Sequence, residues 1–340
     1  MGGQLTVNPP LYVSGRESGL VVPLGEGFFF PAGDTRMPSL IMQLGNGAGL
    51  TMPWSGVDEL ATGAAAMWFT RDDADGLCKM GWTTAPQKKG ERRAGNAVRL
   101  SWMSEKNRWG YPRTVHYWFA DTGGYVALAK RYRQDAEEAG KLVTLVEKQE
   151  ELPALKRFQG APIGWFYFLH HIAAQDARMK EMAWLHEKGV DRLMMATGPA
   201  LDDVGPLQKW GWLVTSYEQF GGVWRPDVAP LAKIQPKYTF TVPKDIGVTF
   251  NGTLRRGWTQ HTEHGSFSSY EICGLRQIEW AKKLMSEEHK DRDYDGQFVD
   301  TTTGLPFYEC YSDAHPSTRR QDKEARVELL GNVGEQGLIC

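Results

Sequence analysis

Over the first 120 residues, short apolar segments alternate with breaks of Gly, Pro, Asn and Asp. "LYVSG", "GLVVPLGEGFFFPAG", "SLIMQL", "AAMWFTRDD", "AVRLSWM" and "RTVHYWFAD" are such segments, and alternation is clearest in "TVHYWFA". Several short strands at close spacing, punctuated by turn residues, predict a β-sandwich over residues 1–120. The period changes at Asp121. Val126, Leu128, Ala129, Tyr132 and Ala136 recur at helical spacing, and Gly140 stands where such a helix would stop. A polar stretch, "EKQEELPALKRFQG", follows, so residues 121–159 read as a connecting helix and linker, with the domain junction there.

From residue 160 the rhythm is strand, helix, strand, helix. Strands are predicted at 163–168, 191–197, 212–220, 296–303 and 337–340. Helices are predicted over "AQDARMKEMAWLHEKG", "DDVGPLQKWG", "ICGLRQIEWAKKLMSEEHK" and "RRQDKEARVELLGNV". Strands that are apolar nearly throughout, each followed by a helix, belong to a parallel sheet with covered faces. Five of them fit a doubly wound sheet or part of a (β/α)₈ barrel. The excursion from 221 to 270 exceeds a normal βα connection, contains predicted hairpin strands "KYTFTV" and "IGVTFNG", and has the length of a lid or binding loop. The fifth strand ends at Cys340 with no helix to cover it, which suits an open sheet and not a closed barrel.

Charge removes some classes. With 39 basic and 41 acidic residues, there is no electrostatic case for nucleic acid or an anionic membrane surface, and the local run "QKKGERR" at 87–93 reads as a solvated loop. No run reaches the roughly 18 apolar residues of a membrane span. The opening "MGGQLTVNPPLYVSG" has no basic segment ahead of an apolar stretch, so no signal peptide is read there. Cys78, Cys273, Cys310 and Cys340 form no C-x-x-C pattern and suggest neither a zinc ribbon nor a disulfide framework. "GNGAG" at 45–49 fits neither dinucleotide nor Walker spacing. Thirteen Trp, 14 Phe and 12 Tyr are mostly core material, yet flat aromatic faces also line sugar-binding clefts.

In either parallel architecture, ligand sites gather at the carboxyl ends of the strands. Tyr217, Glu218, Asp300, Thr301, Thr302, Glu309, Asp313 and His315 fall there and are candidates to converge. Asp300, at the mouth of a buried strand, is either a structural carboxylate bonded to Thr hydroxyls and loop amides or a catalytic one. Paired carboxylates cleave acetals, one attacking or activating water and the other protonating the leaving oxygen. Glu218, Glu309 and Asp313 are the possible partners within the chain. His170 and His171, after an aromatic strand, are placed to hydrogen-bond substrate; Trp224 and Trp258 from the long insert offer stacking faces. Glu309, Asp313 and His315, with "HTEH" at 261–264, leave a metal-dependent alternative open, although no helical H-E-x-x-H is present. Cys310 as a nucleophile lacks a triad. Ser317 or Thr318 is placed to cap the helix that follows.

"FVDTTTGLPFYECYSDAHPSTRRQDKEARVELL", "GLVVPLGEGFFFPAG", "LTMPWSGV", "FTRDDADG" and "WGYPRTVHYWFADTGGYVALAKRYR" resemble a poorly characterised bacterial group of glycoside hydrolases. That group is similar to the endo-α-N-acetylgalactosaminidase family. The resemblance covers nearly the whole chain and implies a mutarotase-like β-supersandwich joined to a (β/α)₈ barrel. The expected fold class is therefore α/β plus all-β: an incomplete sandwich over 1–120, the connector, and a barrel over 160–340 truncated at about strand five. The resemblance implies a retaining glycosidase with Asp300 as nucleophile and a Glu at the end of strand five as acid/base. The sequence breaks off at that strand, and Glu335 precedes it, so the acid/base is expected beyond residue 340, with Glu218 as the in-chain candidate. Tyr217, His170, His171, Thr302 and Glu309 would hold sugar hydroxyls. A carbohydrate substrate, no cofactor, and a secreted or periplasmic location go with this reading; a non-catalytic carbohydrate-binding protein is the alternative.

Overall fold

The computed structural model describes residues 3–7, 11–13, 17–47, 49–86, 92–166, 169, 172–196, 201–239, 243–290 and 292–340. The chain divides into two compact units, the first comprising Met1–Leu142, Thr303–Glu309 and Thr318–Arg320. The second comprises Val143–Thr302, Cys310–Ser317 and Gln321–Cys340.

Among its described residues the first unit holds ten strands: β1 (Gln4–Thr6), β2 (Leu11–Val13), β3 (Ser18–Val22), β4 (Phe28–Pro31), β5 (Leu40–Gln43), β6 (Trp54–Glu59), β7 (Ala64–Phe69), β8 (Gly76–Pro86), β9 (Arg92–Met103) and β10 (His116–Ala120). They form two antiparallel sheets, β1-β9-β8-β5 with β2 also on β9, and β10-β7-β6-β3-β4. Leu20, Val22 and Trp68 of one sheet bury with Met42, Cys78, Met80, Leu100 and Trp102 of the other, which is the shared core of a sandwich. Sequence pattern missed β6 and β8, because "WSGVDE" and "GLCKMGWTTAP" carry Gly and polar residues that blur alternation. Helix α1 (Gly124–Glu138) lays Leu128 and Tyr132 on the outer face of the second sheet, beside Trp54, Met67 and Phe69. It stops where predicted: Gly140 has φ +65°, and the Gly140 and Lys141 amides bond back to the Glu137 and Ala136 carbonyls at 2.9 and 2.8 Å.

The second unit begins where a linker was expected, and the linker is partly helical. α2 (Leu145–Glu151) opens on a capping box: the Glu147 amide donates to Thr144 Oγ1 at 3.2 Å and the Thr144 amide donates to Glu147 Oε2 at 2.7 Å. Then come β11 (Ile163–Gly164), α3 (Gln175–Glu187), β12 (Met194–Met195), α4 (Gly205–Lys209), β13 (Leu213–Gln219), β14 (Gly222–Val223), β15 (Arg256–Thr262), β16 (Gly265–Glu271), α5 (Gly274–Glu288), β17 (Gly296–Asp300) and α6 (Arg319–Glu335). β11, β12, β13 and β17 form a parallel sheet in that order. A parallel bridge joins Gly296 to Ile339, where the fifth strand was predicted. A Cβ at Gly296 would lie 2.5 Å from the Ile339 carbonyl oxygen, so only glycine permits that approach. The first two strands are much shorter than predicted, two paired residues each.

The insert is also corrected. Its hairpin is β15–β16, over residues read as irregular, with β14 added along β16. "KYTFTV" instead contributes a 3-10 turn at Pro236–Tyr238, and residues 240–242 lie outside the described residues. "IGVTFNG" makes isolated bridges, Ile246 to Ile272 and Val248 to Leu254. "HTEH" forms the tip of the hairpin, not irregular chain.

Candidate functional site

The register of β13 against β17 decides which side chains share a face. Tyr217 pairs with Phe298, Glu218 with Val299, and Gln219 with Asp300. Successive residues of a strand point to opposite faces. Tyr217, Gln219, Phe298 and Asp300 therefore occupy one face, and Glu218 and Val299 the other.

On the first face, the Tyr217 hydroxyl donates to Asp300 Oδ2 at 2.6 Å, and its ring stacks on Phe298 with centroids 5.7 Å apart. Trp165, just beyond β11, meets Phe298 edge to face at 4.7 Å and is 48% exposed. Asp300 itself is half-buried. An accessible carboxylate, oriented by a phenol and flanked by an aromatic wall, thus stands at the carboxyl end of a parallel strand. The backbone turns sharply next: Thr301 has φ +65°, a left-handed conformation that is costly for a β-branched residue, about 1–3 kcal/mol. The buried Thr302 follows, its carbonyl accepting from Arg326 Nη1 at 3.2 Å while its hydroxyl has no partner among the described groups.

Glu218 is elsewhere. It is fully buried on the helix-covered face, where Lys237 and the Tyr238 hydroxyl, at 2.7 Å from Oε2, both donate to it. Two donors satisfy the charge, and alternation turns it away from Asp300. The pairing of these two carboxylates for catalysis is not what the strand presents. Trp224 is likewise core, 3% exposed among Val228, Ala229, Ala232 and Phe267, and offers no stacking face. Trp258, on β15, is 72% exposed, with its indole N–H donating to Gln260 at 3.2 Å. Glu309 belongs to the first unit, where it accepts from the Lys106 amide at 2.6 Å and pairs with Arg319 at 3.2 Å. Arg319 also donates to Asp75 at 2.7 Å, an acid that binds Tyr111 and Arg113 as well. Glu309 is thus held in a structural charge network. Asp313 is exposed, and His315 is buried with its ring against Cys310. His170 and His171 lie outside the described residues.

Two residues were missed. Trp165 could have been found by asking which residue of "IGWFYF" follows the strand toward its carboxyl end. Glu271, on β16, is a mostly buried carboxyl raised to about 7, first by burial, with the Arg255 and Arg326 cations opposing and Asp322 adding to the rise. Sequence pattern carried no signal for it, because "HTEHGSFSSYE" showed no hydrophobic period.

No protein-family model matches the sequence, and no curated protein matches it. Solved structures do. The α-N-acetylgalactosaminidase NagBb of Bifidobacterium bifidum, in its N-acetylgalactosamine complex, superposes on 99% of this chain with a TM-score of 0.78 at 17% identity. The chain shares the fold of that structure. It spans 58% of the length of NagBb. The NagBb complex with Gal-NHAc-DNJ gives a TM-score of 0.76 over 99% of this chain, again at 17% identity and 58% of the NagBb chain. A cycloalternan-degrading enzyme from Trueperella pyogenes, in complex with isomaltose, is more distant, with a TM-score of 0.51 at 11% identity over 98% of this chain and 49% of its own.

Proposed function

We propose that the chain carries the nucleophile and part of the sugar subsite of a retaining glycoside hydrolase. The observation that carries this reading is the Trp165–Phe298–Tyr217–Asp300 cluster at the mouth of β17. Asp300 attacks the anomeric carbon, the bond to the leaving oxygen breaks with a proton supplied by a second acid, and water then hydrolyses the glycosyl ester. Tyr217 orients the attacking carboxylate. Trp165 packs against the apolar C–H face of the sugar, and Trp258 extends that surface if the hairpin approaches a longer glycan. Glu218 is not the second acid; its role is to pin the insert through Lys237 and Tyr238. The parallel strands, with Ile339 beside Gly296, are the first five of a (β/α)₈ barrel in this proposal. The NagBb complexes make an α-linked N-acetylgalactosaminide the first substrate to try, and action outside the cytoplasm follows from the family resemblance.

A second reading, carbohydrate binding without turnover, is favoured by the position of Glu218, since the in-chain partner for Asp300 faces the wrong way. Asp300→Asn separates the two. An enzyme loses turnover on an activated aryl α-glycoside by three orders of magnitude or more while still binding the sugar. Turnover that survives the change overturns the nucleophile assignment.

A further inference from the structure

Away from the sugar-facing cluster, two segments of the second unit bring two thiols and an imidazole together. Cys273 stands immediately before α5; Cys310 and His315 belong to the short loop closed by the Cys310–Ser317 bridge, whose amides and carbonyls bond reciprocally at 2.9 and 3.1 Å. The two sulfurs and an imidazole nitrogen all lie within 4.8 Å of one another, and all three residues are buried. Among the described residues this is the one trio of His, Cys, Asp or Glu whose donor atoms converge so closely.

The second layer fixes what each donor presents. His315 Nε2 lies 2.7 Å from the Lys244 carbonyl oxygen. A carbonyl only accepts, so Nε2 carries the hydrogen and the Nδ1 lone pair of the neutral ring points at Cys310 Sγ, 3.3 Å away. That is how metal-ligating histidines are oriented, with the second nitrogen bonded to a carbonyl or carboxylate. The Val248 amide donates to Cys310 Sγ at 3.4 Å, an interaction that favours thiolate. Ser317 Oγ, 3.7 Å from Cys273 Sγ, adds an oxygen as a fourth donor at the edge of the group. Zinc bonds of about 2.3 Å to sulfur and about 2.0–2.1 Å to nitrogen require donors about 3.6–3.8 Å apart, so the donor atoms need to shift by about an ångström at most, the Cys310–His315 pair opening slightly.

We propose that Cys273, Cys310 and His315 form a buried binding site for a thiophilic d¹⁰ cation, Zn(II) or Cu(I). Binding releases the two thiol protons and leaves the imidazole neutral, so no oxidant or reductant is involved. The ion ties the base of the 221–272 insert, the start of α5 and the loop after β17 into one structural knot. Its donors are soft and distinct from the carboxylate set considered from sequence, and the site needs no part of the proposed sugar chemistry.

The test is elemental analysis of the chain purified under reducing, chelator-free conditions, followed by titration with Zn(II) and with Co(II). The expected result is about one zinc or copper per chain, the element found deciding between the two. Co(II) should give an intense thiolate charge-transfer band, and both signals should fall at least tenfold in C310S and H315Q but persist in C78S. If C310S fails to fold, the wild-type chain gives the answer alone: bound Zn(II) should protect Cys273 and Cys310 from alkylation while Cys340 reacts. A Cys273–Cys310 disulfide found by peptide mapping of freshly made protein, or two thiols that alkylate equally with and without Zn(II), overturns the proposal.

Discussion

A single hydroxyl links Asp300 to its neighbours in a way that can be measured. Tyr217→Phe removes the 2.6 Å hydrogen bond to the carboxylate and leaves the ring stack on Phe298 intact. A hydrogen bond to a charged group contributes about 1.5–3 kcal/mol, so catalysis should fall about ten- to a hundredfold with little change in stability. The two tryptophans should part company. Trp165→Ala, at a half-exposed site, should weaken sugar affinity measured by calorimetry about tenfold and leave the urea midpoint nearly unchanged. Trp224→Ala should cost about 3–5 kcal/mol of stability, because it empties a packed site. If Trp224→Ala leaves stability untouched, that side chain is not core. Glu218→Ala leaves Lys237 partly buried without its carboxylate, and breaking such a pair costs about 3–5 kcal/mol. A smaller loss in chemical denaturation would show that water reaches the pair. Asp300 itself was readable from its place at the end of an apolar strand. Its separation from Glu218 was not, because facing depends on the register with β17, which no local pattern encodes.

Among elements, those with a strong period were found and those set by pairing were not. α1, α5, β13 and β17 stand close to their predicted spans, because helical spacing or an apolar run marks them. The hairpin β15–β16 escaped because "RGWTQHTEHGSFSSYE" has no apolar stripe; its strands are held by each other and by β14. α2 escaped for a different reason: its capping box, Thr144 with Glu147, was present in sequence but hidden within a polar stretch read as linker. β16 also carries the group whose titration should show in stability. Glu271 has its carboxyl raised from 4.5 to about 7, chiefly by burial. A raised acid prefers to be protonated in the fold, so its contribution is full below about pH 4.5 and lost as pH rises through about 7. Glu271→Gln should therefore remove that loss and stabilise the chain at pH 8 by on the order of 3 kcal/mol relative to its effect at pH 5. Urea midpoints at the two pH values check it, and an identical shift at both would place Glu271 in water.

At the scale of the molecule, the alternation of Gly-punctuated strands followed by strand–helix units was enough to anticipate a β-sandwich and an α/β unit, because each unit buries its own apolar set. The aromatic wall was not anticipated, since it draws on Trp165 and Phe298, more than 130 residues apart in sequence. Asp300 as the nucleophile is the claim on which the function rests, and one measurement addresses it with least interference. A fluorinated N-acetylgalactosaminyl fluoride needs no acid to expel fluoride, so trapping reads the nucleophile alone. The carboxylate displaces fluoride, a glycosyl ester forms, and the adduct is located by mass spectrometry of peptides. One adduct per chain on the peptide bearing Asp300, absent from D300N, is the result expected. A folded chain that forms no adduct, or one labelled at another carboxylate, contradicts the assignment.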